Sequence, residues 1–199
     1  AGTQEAVDPY AKSTGVNGKR AMVTDLSVTD PEGWDDVAYN SSISSYSEAV
    51  IWEVHVRDFS NKISSSQYKG KYLAFTETGL VNEHGKSVGI DYLKDLGITH
   101  VHLLPVYDYA SVDEKNPDSQ FNWGYDPENY NVPEGSYSTN PYFTLILSSF
   151  SSMGFRPLPE MTWGKWKPEP RLPSMIRGPS SAMATSQPTK FIVYSMPAS

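Results

Sequence analysis

The chain has 199 residues, enough for one ordinary domain or two small ones with a real buried core. A net charge of -7 leaves no basic field for a phosphate backbone and argues against a nucleic-acid partner, and no apolar run approaches the ~20 residues that span a bilayer, which argues against a membrane. The absence of cysteine removes disulfides, thiolate metal sites and a cysteine nucleophile.

The N-terminus, Ala1-Gly2-Thr3, reads as that of a processed protein or an internal piece, with no initiator Met, basic stretch or apolar leader core. Residues 1–40 alternate turn signals (Asn17-Gly18, Asp30-Pro31-Glu32-Gly33) with a short run, Ala21-Met22-Val23-Thr24-Asp25-Leu26. That pattern predicts short strands, as at the end of a β-sandwich. A Ser-rich hinge follows over 40–47. Residues 49–56, Ala-Val-Ile-Trp-Glu-Val-His-Val, predict a strand buried on both faces, as in a parallel sheet. His55 alternates with apolar neighbours there and reads as a hydrogen-bonded sheet residue.

A long polar insertion spans 57–86, and loops of that size in compact domains usually carry function. Ile90, Leu93 and Leu96 then recur at helical spacing, with Gly97 at the C-cap position. Residues 98–106 predict a second buried strand ended by Pro105. Strand, helix, strand in one unit makes the two strands parallel, and ligands bind beyond the carboxyl ends of such strands. On that face falls Phe121-Asn122-Trp123-Gly124-Tyr125-Asp126-Pro127, whose rings and amides suit the apolar faces and hydroxyl rim of a sugar.

The last 57 residues are a different kind of sequence. Residues 1–142 carry a net charge of -11 and residues 143–199 carry +4, and five of the six Met and eight of the fifteen Pro fall in the tail. Phe143-Thr144-Leu145-Ile146-Leu147 has strand character, but the prolines at 157, 159, 168, 170 and 173 predict irregular chain beyond it.

Four stretches together resemble the type I pullulanases, debranching members of the α-amylase superfamily (glycoside hydrolase family 13). They are Asn17-Gly18-Lys19-Arg20-Ala21-Met22-Val23 with Asp30-Pro31-Glu32-Gly33-Trp34, the run Ile51-Trp52-Glu53-Val54-His55-Val56-Arg57-Asp58-Phe59-Ser60, residues 97–105, and residues 121–127. The last matches the family signature Tyr-Asn-Trp-Gly-Tyr-Asp-Pro with Phe121 in place of the first Tyr. The resemblance covers about two thirds of the chain. It implies an α/β fold: an incomplete (β/α)8 TIM barrel, the first two βα units over 46–142, preceded over 1–45 by a β-sandwich remnant related to starch-binding modules and followed by the irregular tail, 143–199.

The resemblance implies a retaining hydrolase of α-1,6 branch points, with pullulan, amylopectin and limit dextrins as α-glucan partners. By similarity, Tyr125 stacks under the sugar next to the cleaved bond, and Asn122, Trp123 and Asp126 shape the wall of that subsite. Retaining hydrolysis needs a nucleophilic carboxylate and an acid about 5–5.5 Å apart. The family places these on the fourth, fifth and seventh strands, beyond the two strands read here, so no catalytic residue is assigned and the chain alone is expected to be inactive. The likeness stops at Tyr142, as in an incomplete gene product. Glu53, Asp58, Asp108, Asp113, Asp118 and Asp126 read as solvated or salt-bridged carboxylates rather than substitutes.

No cofactor is assigned. Full-length relatives admit Ca²⁺, and Asp113, Asn116, Asp118 and Asn122 offer oxygen ligands, but they lack the regular loop of calcium motifs. With six strands missing, Val50, Ile51, Val54, Val101, Leu103 and Leu104 are expected to expose apolar surface. Two other readings remain: a non-catalytic α-glucan-binding protein using Trp34, Trp123, Tyr125 and Tyr130, or an inert product.

Overall fold

A computed structural model describes residues 7–25, 28–29 and 45–140, together with the backbone of two short strands at 156–157 and 192–195. The expected features at 30–34 and 143–147, Trp34 among them, lie outside the described residues.

Strand β1 (Ile51–Val54) and strand β2 (His100–Leu103) pair in parallel, Ile51 opposite His100 through Val54 opposite Leu103. Between them run helix α1 (Val56–Ser60), a 3₁₀ turn (Tyr72–Thr76) and helix α2 (Ile90–Asp95). Helix α2 ends as its sequence predicts. Leu96 is the C-cap, Gly97 takes φ 72°, and the amide of Ile98 returns to the Leu93 carbonyl at 3.0 Å.

Strand β1 is shorter than expected and is not buried on both faces. Its exposure falls from 57% at Ile51 to 9% at Val54, because one edge has no strand beside it among the described residues. His55 is not a sheet residue. It is the extended N-cap of α1, with φ -83° and ψ 131°. The polar insertion is not one loop: Val56, Phe59, Tyr72, Ala74 and Phe75 are buried, and the Phe59 and Phe75 rings stack at 3.8 Å.

These side chains join Ile90, Leu93, Val101, Leu103 and Val106 in one core cluster. Each buried aliphatic or aromatic side chain of this kind contributes roughly 1.5–3 kcal/mol by leaving water. Of the six residues expected to show an open barrel face, Val50 and Ile51 are 45% and 57% exposed, whereas Val54, Val101 and Leu103 are buried.

The other edge of β2 is covered from the tail. Strand β3 (Tyr107–Tyr109) and strand β4 (Pro127–Pro133) form a separate antiparallel pair, and beyond them come β5 (Arg156–Pro157) and β6 (Ile192–Ser195). Strand β6 pairs antiparallel with β2, His102 opposite Val193, and β5 pairs with β6, giving the order β1-β2-β6-β5. The tail is therefore not irregular throughout. Pro157 sits on the edge strand of this sheet among the described residues, the kind of strand on which proline is tolerated. Near the N-terminus, residues 21–25 of the strand expected over 21–26 contribute a single bridge, Ala21 to Thr14, and Leu26 lies outside the described residues.

Candidate functional site

The aromatic segment leads into β4 and is held by its own amide. Asn122 donates through Nδ2 to Ser111 Oγ and to Asp126 Oδ1, each at 2.7 Å, while its Oδ1 accepts from the Gly124 amide at 2.7 Å. Ser111 Oγ in turn donates to Asp126 Oδ2, which closes the ring. Gly124 has φ 89°, and a side chain there would run into the Pro105 carbonyl, so glycine is required at this turn.

From below, His55 Nε2 donates to the Asn122 carbonyl at 2.8 Å and lies 3.0 Å from the Tyr137 hydroxyl. The imidazole packs against Phe121 at 5.0 Å and, edge on, against Trp123 at 6.3 Å. Phe121 and Trp123 meet nearly perpendicular at 4.9 Å. Burial holds the His55 pKa below the ordinary imidazole value, although the hydrogen bond to Asn122 pulls it upward. A neutral ring with its proton on Nε2 is the tautomer that fits the Asn122 carbonyl.

The result is a clamped turn that presents large rings outward. Trp123 is 60% exposed and Tyr125 52%, next to a half-buried Asn122 and an exposed Asp126. Tyr130 is exposed on β4 beside Tyr107, with ring centroids 6.0 Å apart. All four site residues read from the sequence thus share one turn. Asn122 and Asp126 use several of their polar atoms to hold it. His55, Tyr137 and Ser111 were not read as part of the site.

The oxygen-rich run does not gather into one centre. Asp113 Oδ1 accepts from Asn17 Nδ2 and the Lys115 amide, Asn116 precedes a 3₁₀ turn that carries Asp118, and Asn122 belongs to the aromatic clasp. A different trio, Asp108, Glu114 and Glu134, brings one carboxylate oxygen each within 4.8 Å of the others. All three are buried. Glu114 accepts from the amides of Asn17 at 2.5 Å and Gly135 at 2.9 Å, Glu134 from Tyr109 at 3.0 Å and Ser136 at 2.8 Å, and Asp108 from Asn129 Nδ2 at 2.5 Å.

Burial is the main cause that pushes Asp108 up to about 6, Glu114 to about 7 and Glu134 to about 8; repulsion from Glu128 on Asp108, from Asp108 and Asp113 on Glu114 and from Glu114 on Glu134 adds to it, and the amide donors oppose it. The other carboxylates are scattered. Glu53 faces His102 Nδ1 at 3.1 Å, and Asp58 is exposed on α1.

No protein-family profile matches the chain. The pullulanase of Bacillus subtilis is 44% identical over 142 aligned positions, which cover 69% of this chain and 19% of that enzyme. Among solved structures, the pullulanase of Bacillus acidopullulyticus superposes with a TM-score of 0.70 at 47% identity, covering 74% of this chain and 18% of that one. The pullulanase of Paenibacillus barengoltzii, in complex with maltohexaose and α-cyclodextrin, gives a TM-score of 0.67 at 46% identity, over 75% of this chain and 25% of that one. The chain spans about a fifth of the length of the curated relatives it matches. Over about three quarters of its residues, the chain belongs, as a segment, to the type I pullulanase family of the α-amylase superfamily.

Proposed function

We propose that the chain is an α-glucan-binding segment of a pullulanase-type debranching hydrolase, with Tyr125 as the stacking platform and Trp123, Asn122 and Asp126 around it. The observation that carries this reading is the clamped turn. A turn held by the Asn122, Ser111 and Asp126 clasp, with His55 packed under Phe121 and Trp123, loses little backbone freedom when a sugar settles on the exposed faces of Trp123 and Tyr125. Pullulan, amylopectin and limit dextrins are the proposed partners, and stacking with hydrogen bonding requires no cofactor. In this reading residues 46–142 are the first two βα units of a (β/α)8 barrel, with the parallel β1–β2 pair in support. Residues 1–45 are the end of a β-sandwich module, and 143–199 are a divergent tail.

Hydrolysis by this chain alone is not part of the proposal. Among the described residues, Asp108, Glu114 and Glu134 are carboxylates that gather near the spacing of a retaining pair, and they are 1%, 4% and 0% exposed, with amide donors on their oxygens. A sugar has no path to them. Affinity electrophoresis in pullulan, with reducing-end release measured in parallel, tests both halves. Retarded mobility that is lost in Tyr125→Ala, with no release above blank, is expected. Mobility unaffected by pullulan would overturn the binding reading, and release above blank would overturn the inactive one.

A further inference from the structure

After strand β4 the chain makes a short 3₁₀ turn, Gly135–Tyr137, that two buried carboxyls hold from outside. Glu134 caps it, taking the Ser136 amide on Oε1 at 2.8 Å and the Tyr109 amide on Oε2 at 3.0 Å. Glu114 Oε1 takes the Gly135 amide at 2.9 Å, and Lys71 Nζ donates to the Ser136 carbonyl at 2.6 Å. A turn tied at so many points fixes the side chain at its end. Tyr137 is 3% exposed and meets Tyr72 and Tyr109 edge on, with ring centroids at 5.5 and 6.1 Å.

The Tyr137 hydroxyl lies 3.0 Å from His55 Nε2, the nitrogen that also faces the Asn122 carbonyl at 2.8 Å. A carbonyl only accepts, so the ring proton sits on Nε2 and the Tyr137 oxygen is a second acceptor beside it. The hydroxyl proton of Tyr137 is then left for Tyr109, whose own hydroxyl is 3.1 Å from Ser136 Oγ. Burial, aided by the Glu134 carboxyl, holds both phenols above the ordinary tyrosine value, so each keeps its proton. The other imidazole nitrogen, Nδ1, is buried without a partner among the described residues. Two oxygens on Nε2 are therefore the polar tethers of the His55 ring, and Tyr137 supplies one of them.

We propose that Tyr137 is a positioning residue for the aromatic turn: its hydroxyl sets the His55 imidazole on which Phe121 and Trp123 rest, and through them the surface offered to the glucan. Tyr137 is buried and acts through His55 rather than on a sugar. Its part in glucan binding rests on the platform reading of Tyr125 and Trp123; its placing of His55 does not.

Maltotriose titrated by tryptophan fluorescence, with Tyr137→Phe, His55→Ala and the double variant, tests the first part. Tyr137→Phe keeps the ring in the core and removes the hydroxyl. It is expected to weaken binding about fivefold, and to do nothing further once His55 is Ala, because the hydroxyl then has no ring to place. Tyr92→Phe, at an exposed phenol on α2, leaves affinity unchanged. Proton NMR gives a readout free of sugar. The His55 Nε2–H is expected as a slowly exchanging resonance in the parent, broadened in Tyr137→Phe and unchanged in Tyr92→Phe. Unchanged affinity in Tyr137→Phe, additive losses in the double variant, or a ring N–H as slow to exchange in Tyr137→Phe as in the parent would overturn the proposal. If the parent binds no maltotriose, the glucan reading fails and the NMR comparison decides whether Tyr137 places His55. Circular dichroism checks folding; should Tyr137→Phe not fold, the parent tautomer decides, with the proton on Nε2 in support and on Nδ1 against.

Discussion

His55 connects the buried part of the chain to its exposed rings. One ring nitrogen lies 2.8 Å from the Asn122 carbonyl and 3.0 Å from the Tyr137 hydroxyl, and the imidazole faces both Phe121 and Trp123. Removing it takes away the hydrogen bond under the turn and the surface on which the two rings rest. The clasp of Asn122, Ser111 and Asp126 remains, but it fixes the turn only from its own side. His55→Ala is therefore expected to weaken maltotriose binding about tenfold, the size of one buried hydrogen bond, when titrated by tryptophan fluorescence. Affinity equal to that of the parent would show that the clasp alone orders the turn. The sequence displays the rings, because aromatic and amide side chains in one heptapeptide point to a sugar surface. It does not display the role of His55, whose partner is a main-chain carbonyl 67 residues away. Backbone oxygens leave no residue signature, and a histidine among apolar neighbours looks like any strand residue.

At the level of elements, local signals decided what was legible. The β1–α2–β2 unit follows from apolar periodicity and from Gly97, which stops the helix with its positive φ. The β3–β4 pair escaped because its register shifts twice and Pro127 and Pro133 mark its ends, so no alternation survives. Buried Tyr72, Ala74 and Phe75 escaped because a five-residue 3₁₀ turn has no recognisable period. Strand β6 escaped for another reason: its four residues stand alone among prolines and serines, and it acquires meaning only by covering the β2 edge. That role gives it a measurable weight. Val193 lies opposite His102 on a strand that pairs with β2 and, at Tyr194 and Ser195, with β5, so a proline there perturbs a strand that is paired rather than free. Val193→Pro is expected to lower stability by on the order of 1–3 kcal/mol in urea unfolding. An unchanged midpoint would mean that β2 needs no cover on that side.

For the whole molecule, the buried carboxyl trio makes stability depend on pH in a direction opposite to the usual carboxylate case. Asp108, Glu114 and Glu134 hold their protons to about 6, 7 and 8, above the ordinary values of 3.8 and 4.5. Between those limits the folded chain binds more protons than the unfolded one, so stability is full below about pH 4 and is lost as pH rises through about 8. Each carboxyl contributes a slope of at most about 1.4 kcal/mol per pH unit. His55 and His100, held down by burial, act the other way: their contribution is lost as pH falls below the ordinary value of 6.5. Three carboxyls with large shifts outweigh two imidazoles, so the apparent Tm is expected to fall from pH 5 to pH 8. The growing negative charge of an acidic chain pulls in the same direction. Two variants separate the causes. Glu134→Gln removes a buried titrating group and should flatten the Tm profile, while Glu83→Gln, at a side chain 83% exposed, removes the same formal charge from the surface and should leave the slope in place. Tm rising between pH 5 and 8, or equal slopes in the two variants, would mean that the trio does not hold its protons in the folded chain.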